Sequence, residues 1–358
     1  MTYISQRENL YANVIEDDQY LQLFLQYPPV DFKANIEKDI IFFLTNFNLF
    51  TTMEPKTFSK IQKLPLFHYW SKLFILQTCF IGTTITEYTP LPKRLKPADL
   101  LNYVAEKPGK EQTLTIIKDL PVNSPLLSNE DNIAARKLTD AAIKNGFLEL
   151  SGQALAYVPI DFESMDEYLG RLSASRRKDL RRKMKSTDQL HIETYKLGDK
   201  YFSDDKIIDE FYSMYIEVFN QSEIHFDLLS KEFFAALLRS ESIEGIVVLY
   251  KCEAVPACYN ICLLSNGMLI DKYIGFRYPL ARQFNLYFVS WLYNLELAQK
   301  YDCKYYIAGW TDPEVKASLG ASFTFTSHLV WIKNPLFRKI LQPLKSFFEA
   351  DRKVVDGL

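Results

Sequence analysis

The sequence predicts a mixed α/β fold built as two lobes. With 358 residues the chain is long enough for two domains of ordinary size, and its 48% hydrophobic and 24% charged residues are typical of a globular protein. Residues 190–331 alternate apolar runs with amphipathic stretches in the order β-α-α-β-β-β-α-β-α-β. Shorter apolar runs with turn signals fill the first half, so we expect strands and helices in both lobes.

The first half contains one helix with well-marked ends. Ser128 supplies a capping side chain, Glu130 and Asp131 place negative charge in the first turn, and Gly146 follows the last turn. These signals predict a helix from Ser128 to Gly146. Apolar runs such as residues 40–44 are expected to be strands or short buried helices.

A strongly basic segment lies between Met165 and Lys185. It has eight arginines or lysines from Arg171 onward and one acid, Asp179, and its apolar residues return at helical spacing. The pattern predicts one basic amphipathic helix, or two helices separated near residues 173–175. Three interpretations stay open for its charge: a solvated face, a contact for a polyphosphate or RNA-like donor such as tRNA, and a dock for the acidic surface of a carrier protein.

The second half has the most informative order of elements. Asn266-Gly267 lies between two apolar runs and is a strong hairpin signal. The helix that begins near Arg282 is apolar on nearly every side, so we expect it to be buried. The predicted strands are 191–197, 245–251, 254–264, 268–275, 304–308 and 325–331, and the predicted helices are 206–219, 231–239, 282–300 and 312–319.

Three stretches of sequence accompany this order of elements. They are Tyr168-Leu169 with 175–182, Asn285-Leu286-Tyr287-Phe288 with 291–293, and 316–320 with Ser327-His328 and 335–338. Together they resemble the basic helix, the aromatic central helix and the C-terminal segment of the FemAB-like branch of the GNAT superfamily. The resemblance covers residues 153–340.

The resemblance implies a GNAT-type acyltransferase fold in two tandem lobes, of which the first is degenerate. We expect a degenerate lobe at residues 1–152, a basic helical connector at 153–189, the acyltransferase domain at 190–334 and an amphipathic tail helix at 335–358.

The same resemblance implies an N-acyltransferase that moves an acyl or aminoacyl group from an activated carrier to a small-molecule primary amine. Acyl-CoA is the expected donor, and no permanently bound cofactor or metal is expected. Aminoacyl-tRNA is the alternative donor, since the best-known FemAB-like enzymes use it. A catalytically silent GNAT-like protein that binds a ligand or partner remains a second alternative, and an RNA-binding protein a third.

One carboxylate is the candidate for activating the amine. Resemblance to GNAT enzymes puts the acyl carbonyl beside the fourth and fifth predicted strands of the second lobe, where splayed strands free backbone N–H groups for the oxyanion. Asp271 is expected on the same face of its strand as Tyr273, where it would orient or deprotonate the amine. Its alternative role is an ion pair with Lys272 or Lys304.

Three further residues have roles implied by the resemblance. Tyr305 and Tyr306 are candidates for protonating a departing thiolate, and Tyr306 is the one assigned, although packing is the alternative for either. Lys316 matches a lysine that FemAB-like proteins place after the fifth strand, where it would meet an anionic substrate or leaving group.

The donor-binding candidates lie where the Gly-rich pyrophosphate loop of typical GNAT members would be. The sequence has residues 275–282 there instead, with few glycines, which puts ordinary coenzyme A binding in question. Arg277, Arg282 and Asn285 flank the predicted start of the central helix, where phosphate is favoured. Solvated arginines are the alternative. His328 also fits the family pattern, but a structural role is the alternative.

The cysteine count and the net charge exclude several classes of protein. Five cysteines without CxxC spacing fit neither a disulfide framework nor a structural zinc site, and buried thiols are expected. A net charge of -2 excludes a globally basic nucleic-acid binder. No apolar run is long enough for a membrane span and the first residues lack a secretory signal, so we expect a cytoplasmic protein.

Overall fold

The computed structural model describes residues 10–52, 55–222, 225–334 and Arg338. They form two compact units. In the described chain, unit 1 holds residues 10–25, 32–152 and those from 326 onward, and unit 2 holds residues 26–31 and 153–325. The predicted tail helix, apart from Arg338, lies outside the described residues.

The strands are numbered along the chain. They are β1 (Tyr11–Ala12), β2 (Lys33–Glu37), β3 (Ile40–Asn48), β4 (Ile75–Ile81), β5 (Leu91–Pro92), β6 (Leu114–Pro121), β7 (Leu148–Pro159), β8 (Leu190–Lys196), β9 (Gly245–Cys252), β10 (Val255–Ser265), β11 (Met268–Phe276), β12 (Tyr305–Gly309) and β13 (Ser322–Ile332). The predicted strands of the second half are therefore confirmed, with bounds that shift by a few residues.

The helices are numbered in the same way. They are α1 (Asp18–Gln26), α2 (Pro55–Gln62), α3 (Phe67–Trp70), α4 (Pro97–Glu106), α5 (Pro108–Glu111), α6 (Asn129–Lys144), α7 (Met165–Gly170), α8 (Ala174–Met184), α9 (Asp205–Gln221), α10 (Lys231–Leu238), α11 (Leu280–Gln283), α12 (Leu286–Lys300) and α13 (Pro313–Ser318). Single 3₁₀ turns cover Leu49–Thr52, Ser71–Phe74, Lys185–Gln189 and Lys200–Ser203.

Two helix predictions have clear outcomes. Helix α6 is confirmed, because the Ser128 side chain accepts a hydrogen bond from the backbone N–H of Asp131 and so caps the first turn. The basic segment forms two helices, α7 and α8, and the Ser173 side chain caps the second of them. A serine that can satisfy free N–H groups is a favourable place to restart a helix.

The main sheet of unit 1 has a distinct succession of strand directions. Strand β2 pairs with β3 and β3 with β4 in antiparallel fashion, β4 pairs with β6 in parallel, and β6 pairs with β13 in antiparallel fashion. A separate two-stranded sheet joins β1 to β5. The parallel pair is possible because the chain between β4 and β6 includes the helices α4 and α5.

The sheet of unit 2 repeats this succession with one more strand. The antiparallel pairs β8–β9, β9–β10 and β10–β11 come first, then the parallel pair β11–β12, and finally β12 pairs antiparallel with β7. Helices α11 and α12 form the crossover between the two parallel strands. Two units with one pattern of strands confirm the prediction of a mixed α/β fold in two lobes.

Each unit takes one sheet strand from the other half of the sequence. The chain passes from unit 1 to unit 2 within β7, after Gly152, and returns within β13, after Phe325. As a result, β7 completes the sheet of unit 2 beside β12, and β13 completes the sheet of unit 1 beside β6.

The central helix of unit 2 is buried, as predicted, but it begins later than expected. Helix α12 packs nine of its fifteen residues out of solvent, including Trp291 and Leu295. Asn285 has a left-handed backbone, with φ of 52°, and separates α12 from the short turn α11. The prediction of one helix from Arg282 is therefore wrong, because a left-handed residue cannot continue a right-handed helix.

Gly275 on β11 is required by close packing. A Cβ at this position would lie 2.1 Å from Cε1 of Tyr259, whose buried ring stacks on Phe211 at 4.5 Å. We expect Gly275→Ala to lower the free energy of unfolding by about 1–3 kcal/mol, because the ring must move from a packed position. Urea unfolding measures the change. Gly170→Ala is the matched control, since nothing lies within 4 Å of a Cβ there; equal stability of the two variants would contradict this account.

Candidate active site

The two parallel strands of unit 2 separate at a definite point. Backbone pairing between β11 and β12 runs from Met268 and Tyr305 to Ile270 and Ile307, and stops there. Asp271 is the next residue of β11. Where paired strands part, the backbone N–H groups that face the gap are no longer used by the ladder. The gap therefore lies directly beside a carboxylate.

Asp271 is held by hydrogen bonds from three side chains. The Asn260 amide donates to both carboxylate oxygens, at 3.1 and 3.0 Å. Asn294 Nδ2 and the Tyr306 hydroxyl each donate to Oδ2 at 3.0 Å. The thiol of Cys262 lies 3.8 Å from Oδ1. These donors come from β10, α12 and β12, so three elements fix the orientation of one carboxylate.

Burial raises the pKa of Asp271 above its ordinary value. Desolvation of the charged form is the main cause, and it is opposed by the hydrogen bonds from Asn260 and Tyr306 and by the positive charge of Lys316. Lys316 lies on α13 and is only 4% exposed. A carboxylate with a raised pKa binds a proton more readily, which suits a general base.

The structure brings the three catalytic candidates together in unit 2. Tyr306 contacts Asp271 directly, and Lys316 is near enough to act on its pKa. The Tyr306 side chain is 1% exposed and its hydroxyl points its proton at the carboxylate. Burial and the charge of Asp271 raise the pKa of Tyr306 well above its ordinary value. Tyr306 is thus arranged to position Asp271, and it is a weaker acid than an ordinary tyrosine.

Tyr305 lies elsewhere on the same strand. Its ring packs edge to face against Tyr157 of β7, with the centroids 5.9 Å apart. Adjacent residues of a strand point to opposite faces of the sheet, so Tyr305 faces away from Asp271. The alternative role given for Tyr305, packing of its ring, therefore fits this position.

A β-bulge corrects one detail of the prediction. Cys262 pairs with Asp271 while the preceding Ile261 pairs with Tyr273, so Lys272 is an extra residue in β11. Tyr273 packs on Phe234 of α10, with ring centroids 5.2 Å apart. The prediction that Asp271 and Tyr273 share a face is therefore wrong, because the bulge shifts the alternation by one residue.

The donor-binding candidates are spread over the turn before α12. Arg277 makes an ion pair with Glu210 at 3.1 Å, and its Nε donates to the Pro256 carbonyl. Arg282, on α11, is exposed and lies over the Tyr278 ring at 5.4 Å. Asn285 precedes the first turn of α12 without a side-chain cap hydrogen bond. Arg277 is therefore engaged by Glu210, whereas Arg282 stays exposed to solvent beside the Tyr278 ring.

The basic helix α8 adjoins the start of the central helix. The Ser186 hydroxyl donates to the carbonyl of Phe284 at 2.6 Å, and Lys183 lies over the Phe288 ring at 3.3 Å. Arg181 and Arg182 are exposed on the outer face. Arg181 pairs with Asp166, and Arg182 and Lys183 both pair with Asp179, so part of the basic charge of α8 is neutralised where it approaches the positive N-terminal end of α12.

Sequence reasoning missed Asn260 and Asn294. Both are fully buried, and their amide oxygens have no hydrogen-bond partner within the described residues. Unsatisfied buried acceptors are uncommon in native proteins and call for an explanation such as a bound donor. The available signals were Asn260 inside an apolar run of β10 and Asn294 between the apolar residues Tyr293 and Leu295 of the predicted central helix.

Unit 1 fills its equivalent gap with its own chain. The parallel pair β4–β6 ends at Ile81 and Ile117. Beyond it, the Thr89 hydroxyl donates to the Lys118 carbonyl, and the Thr89 N–H donates to the carbonyl of Asp119 at 3.1 Å. The donors and acceptors of this gap are thus engaged internally, in keeping with a degenerate first lobe.

His328 belongs to unit 1 and to no part of this site. Its Nδ1 accepts a hydrogen bond of 3.0 Å from the backbone N–H of Asp119. Burial lowers the pKa of His328, which keeps the imidazole neutral and able to accept that bond. The alternative given for His328, a structural role, therefore fits this position.

A protein-family model matches most of the chain. The FemAB-like model, described as peptidoglycan biosynthesis/recognition, matches residues 101–357. The chain belongs to the FemAB-like family. The predicted family is therefore confirmed. No curated protein matches the sequence.

Solved structures share the fold at low sequence identity. FemX has a TM-score of 0.54 and 11% identity, with 94% of this chain and 96% of that chain covered. L-PGS from Bacillus licheniformis has a TM-score of 0.53 and 8% identity, with 93% and 98% covered. At such identity the likeness is one of fold. Among the described residues, no helix is long and apolar enough to cross a membrane.

Proposed function

We propose that unit 2 transfers an acyl or aminoacyl group from a phosphate-bearing carrier to a primary amine, in the gap beyond Ile270 and Ile307. The observation that carries the proposal is the position of Asp271. It is the first residue past the paired part of β11, it is held as an acceptor by Asn260, Asn294 and Tyr306, and burial raises its pKa.

The proposed reaction begins with the amine. An ammonium group bound beside Asp271 gives one proton to the carboxylate, and the nitrogen lone pair then attacks the acyl carbon. The electron pair of the C=O bond moves to oxygen, where backbone N–H groups of the gap and the Lys316 ammonium stabilise the negative charge. The amide oxygens of Asn260 and Asn294 supply acceptors for the remaining N–H groups of the amine.

Collapse of the tetrahedral intermediate completes the transfer. The electron pair on oxygen re-forms the carbonyl, and the bond from the acyl carbon to sulfur or oxygen of the carrier breaks, its electrons leaving with the carrier. The proton held by Asp271 goes to the leaving atom, and the regenerated carboxylate takes the second proton from the amine nitrogen and releases it to solvent when the product leaves. Tyr306 keeps the carboxylate in place throughout and does not itself change charge.

The carrier is proposed to bind through phosphate. Acyl-CoA and aminoacyl-tRNA both bear phosphates, and the excess of basic side chains on α8, next to the start of α12, suits either one. Acyl-CoA is the first donor to test and aminoacyl-tRNA is the alternative. A coenzyme needs only the end of α8 nearest α12, whereas a tRNA backbone would follow the whole helix.

Charge reversal on α8 separates the two donors. If tRNA is the donor, Arg176→Glu with Lys178→Glu and Arg181→Glu should raise the KM for tRNA at least about tenfold. The slope of log KM against the logarithm of the salt concentration should fall by about one unit for each phosphate contact that is lost. The KM for acyl-CoA should change little. Steady-state kinetics at several salt concentrations measure both.

The matched control for this variant reverses three exposed lysines of unit 1: Lys33→Glu, Lys110→Glu and Lys137→Glu. It changes the net charge equally at a distance in sequence from α8. An equal loss of tRNA use in both triple variants would contradict a specific role for α8 and leave only the effect of overall charge.

The experiment that tests the proposal is a transfer assay with a panel of primary amines. Each is offered with acyl-CoA of several chain lengths and with charged tRNA, and the amide product is detected by mass spectrometry. Amide formation that requires Asp271 supports the proposal. No product from either donor would favour a second candidate, a FemAB-like protein that binds a ligand without turnover, for which the engagement of Arg277 by Glu210 is the supporting observation.

A further inference from the structure

A patch of exposed apolar side chains lies between β3 and β4 of unit 1. Leu66, Tyr69 and Leu73 are 72%, 72% and 76% exposed, and Leu64 and Ile75 are also exposed. We call these five residues the β3–β4 surface. Scattered apolar residues on a protein surface are ordinary, but a group on one short segment marks an interaction site.

The segment does not need these side chains for its own packing. Its rings form a separate small core, in which Phe67 packs on Trp70 at 5.0 Å and Phe50 packs on Phe74 at 5.1 Å. Leu66 has a left-handed backbone, with φ of 60°. That conformation is unfavourable for a bulky residue, and it leaves most of the leucine side chain in solvent.

The charge around the patch indicates its partner. Residues 55–86 contain four lysines and no acid. Lys60, Lys63 and Lys72 are exposed on the same segment as the β3–β4 surface. Apolar and aromatic side chains among lysines are the pattern of elements that lie in the interface of an anionic bilayer, where each basic side chain near the surface adds attraction.

We propose that the β3–β4 surface docks the protein on an anionic phospholipid bilayer. Leu66, Tyr69 and Leu73 enter the headgroup region, and the three exposed lysines contact the anionic headgroups. The contact is peripheral, through a short segment that lies on the bilayer. This inference concerns unit 1 alone and does not depend on the transfer reaction proposed for unit 2.

Vesicle co-sedimentation tests the proposal. The full chain should bind vesicles that mix phosphatidylglycerol with phosphatidylcholine and bind vesicles of phosphatidylcholine alone far more weakly. Lys60→Glu with Lys63→Glu and Lys72→Glu should weaken binding about 100-fold, since each lysine near an anionic surface contributes about fivefold. Leu66→Ser with Tyr69→Ser and Leu73→Ser should abolish binding, because the apolar contact is lost.

The matched control replaces three other exposed apolar residues of unit 1: Ile36→Ser, Ile133→Ser and Ile143→Ser. This control should bind anionic vesicles like the unchanged protein, and all variants should keep soluble-substrate transfer activity and their thermal unfolding. If the serine variant of the patch unfolds, the vesicle binding of the lysine variant alone tests the proposal.

Three results would overturn the proposal. The first is that the unchanged protein binds neither kind of vesicle. The second is that both patch variants bind as well as the control. The third is that light scattering finds a dimer that the serine variant disrupts without any vesicle binding, because a second copy of the chain would then cover the surface.

Discussion

Asp271→Asn should reduce kcat for acyl transfer by roughly 10²–10⁴-fold, the usual contribution of a positioned general base. The change keeps the shape of the side chain, and an amide can still accept from Asn260 and Tyr306, but it can no longer take a proton from the amine. Single-turnover kinetics with saturating donor measure the chemical step directly. The donor KM should change little.

Asp119→Asn is the matched control for this variant. It makes the same chemical change at a buried aspartate of unit 1, which pairs with Lys118. We expect its kcat to equal that of the unchanged protein. An Asp271→Asn variant that transfers acyl groups at a normal rate would exclude Asp271 as the base.

The same residue sets the acid side of the pH profile. Asp271 accepts a proton only when ionised, so activity should fall as the pH falls through its pKa. Because burial raises that pKa, the loss begins at a higher pH than for an ordinary aspartate. The acid limb should disappear in Asp271→Asn, whose residual activity no longer depends on that carboxyl.

Lys316→Met should reduce kcat by about 10²–10³-fold, the cost of removing one donor to a developing oxyanion. Methionine keeps most of the buried volume of the side chain and removes its charge. Lys316 also lowers the pKa of Asp271, so the acid limb of the pH profile should move to higher pH in this variant. A purely structural role for Lys316 would change stability without moving that limb.

Lys118→Met serves as the control for the second variant. Lys118 is a partly buried lysine of unit 1, where its ammonium donates to the Thr83 carbonyl. Its replacement should leave both kcat and the acid limb unchanged. If the acid limb of the Lys316→Met profile lies at the same pH as in the unchanged protein, the proposed electrostatic coupling between Lys316 and Asp271 is contradicted.

Much of the fold follows from local signals. Ser128 caps α6 through a contact three residues away, and Asn266-Gly267 turns β10 into β11, so both features could be predicted from short windows of sequence. The succession of strands in unit 2 follows from the alternation of apolar runs and helices. These features depend on neighbours in the chain, which a sequence displays directly.

The composition of the site depends on contacts that no short window contains. Asn260 and Asn294 come from β10 and α12, yet both donate to Asp271. The bulge at Lys272, which separates the faces of Asp271 and Tyr273, is decided by how β10 and β11 pair. The late start of α12 depends on the backbone of Asn285. The roles of Asp271, Tyr306 and Lys316 stay predictions, and the two asparagines beside Asp271 became visible only in the folded chain.

The exchange of strands between the two halves has a consequence for biosynthesis. One edge of β6 has no partner until β13 has been synthesised, because Leu114 of β6 pairs with Ile332 of β13. At ribosomal speeds of about 5–20 residues per second, this edge stays open for about 10–40 s after β6 is made. Unpaired edges recruit other chains. The nascent protein should therefore depend on a ribosome-bound chaperone during that interval, and slower translation of its second half should lower the soluble yield.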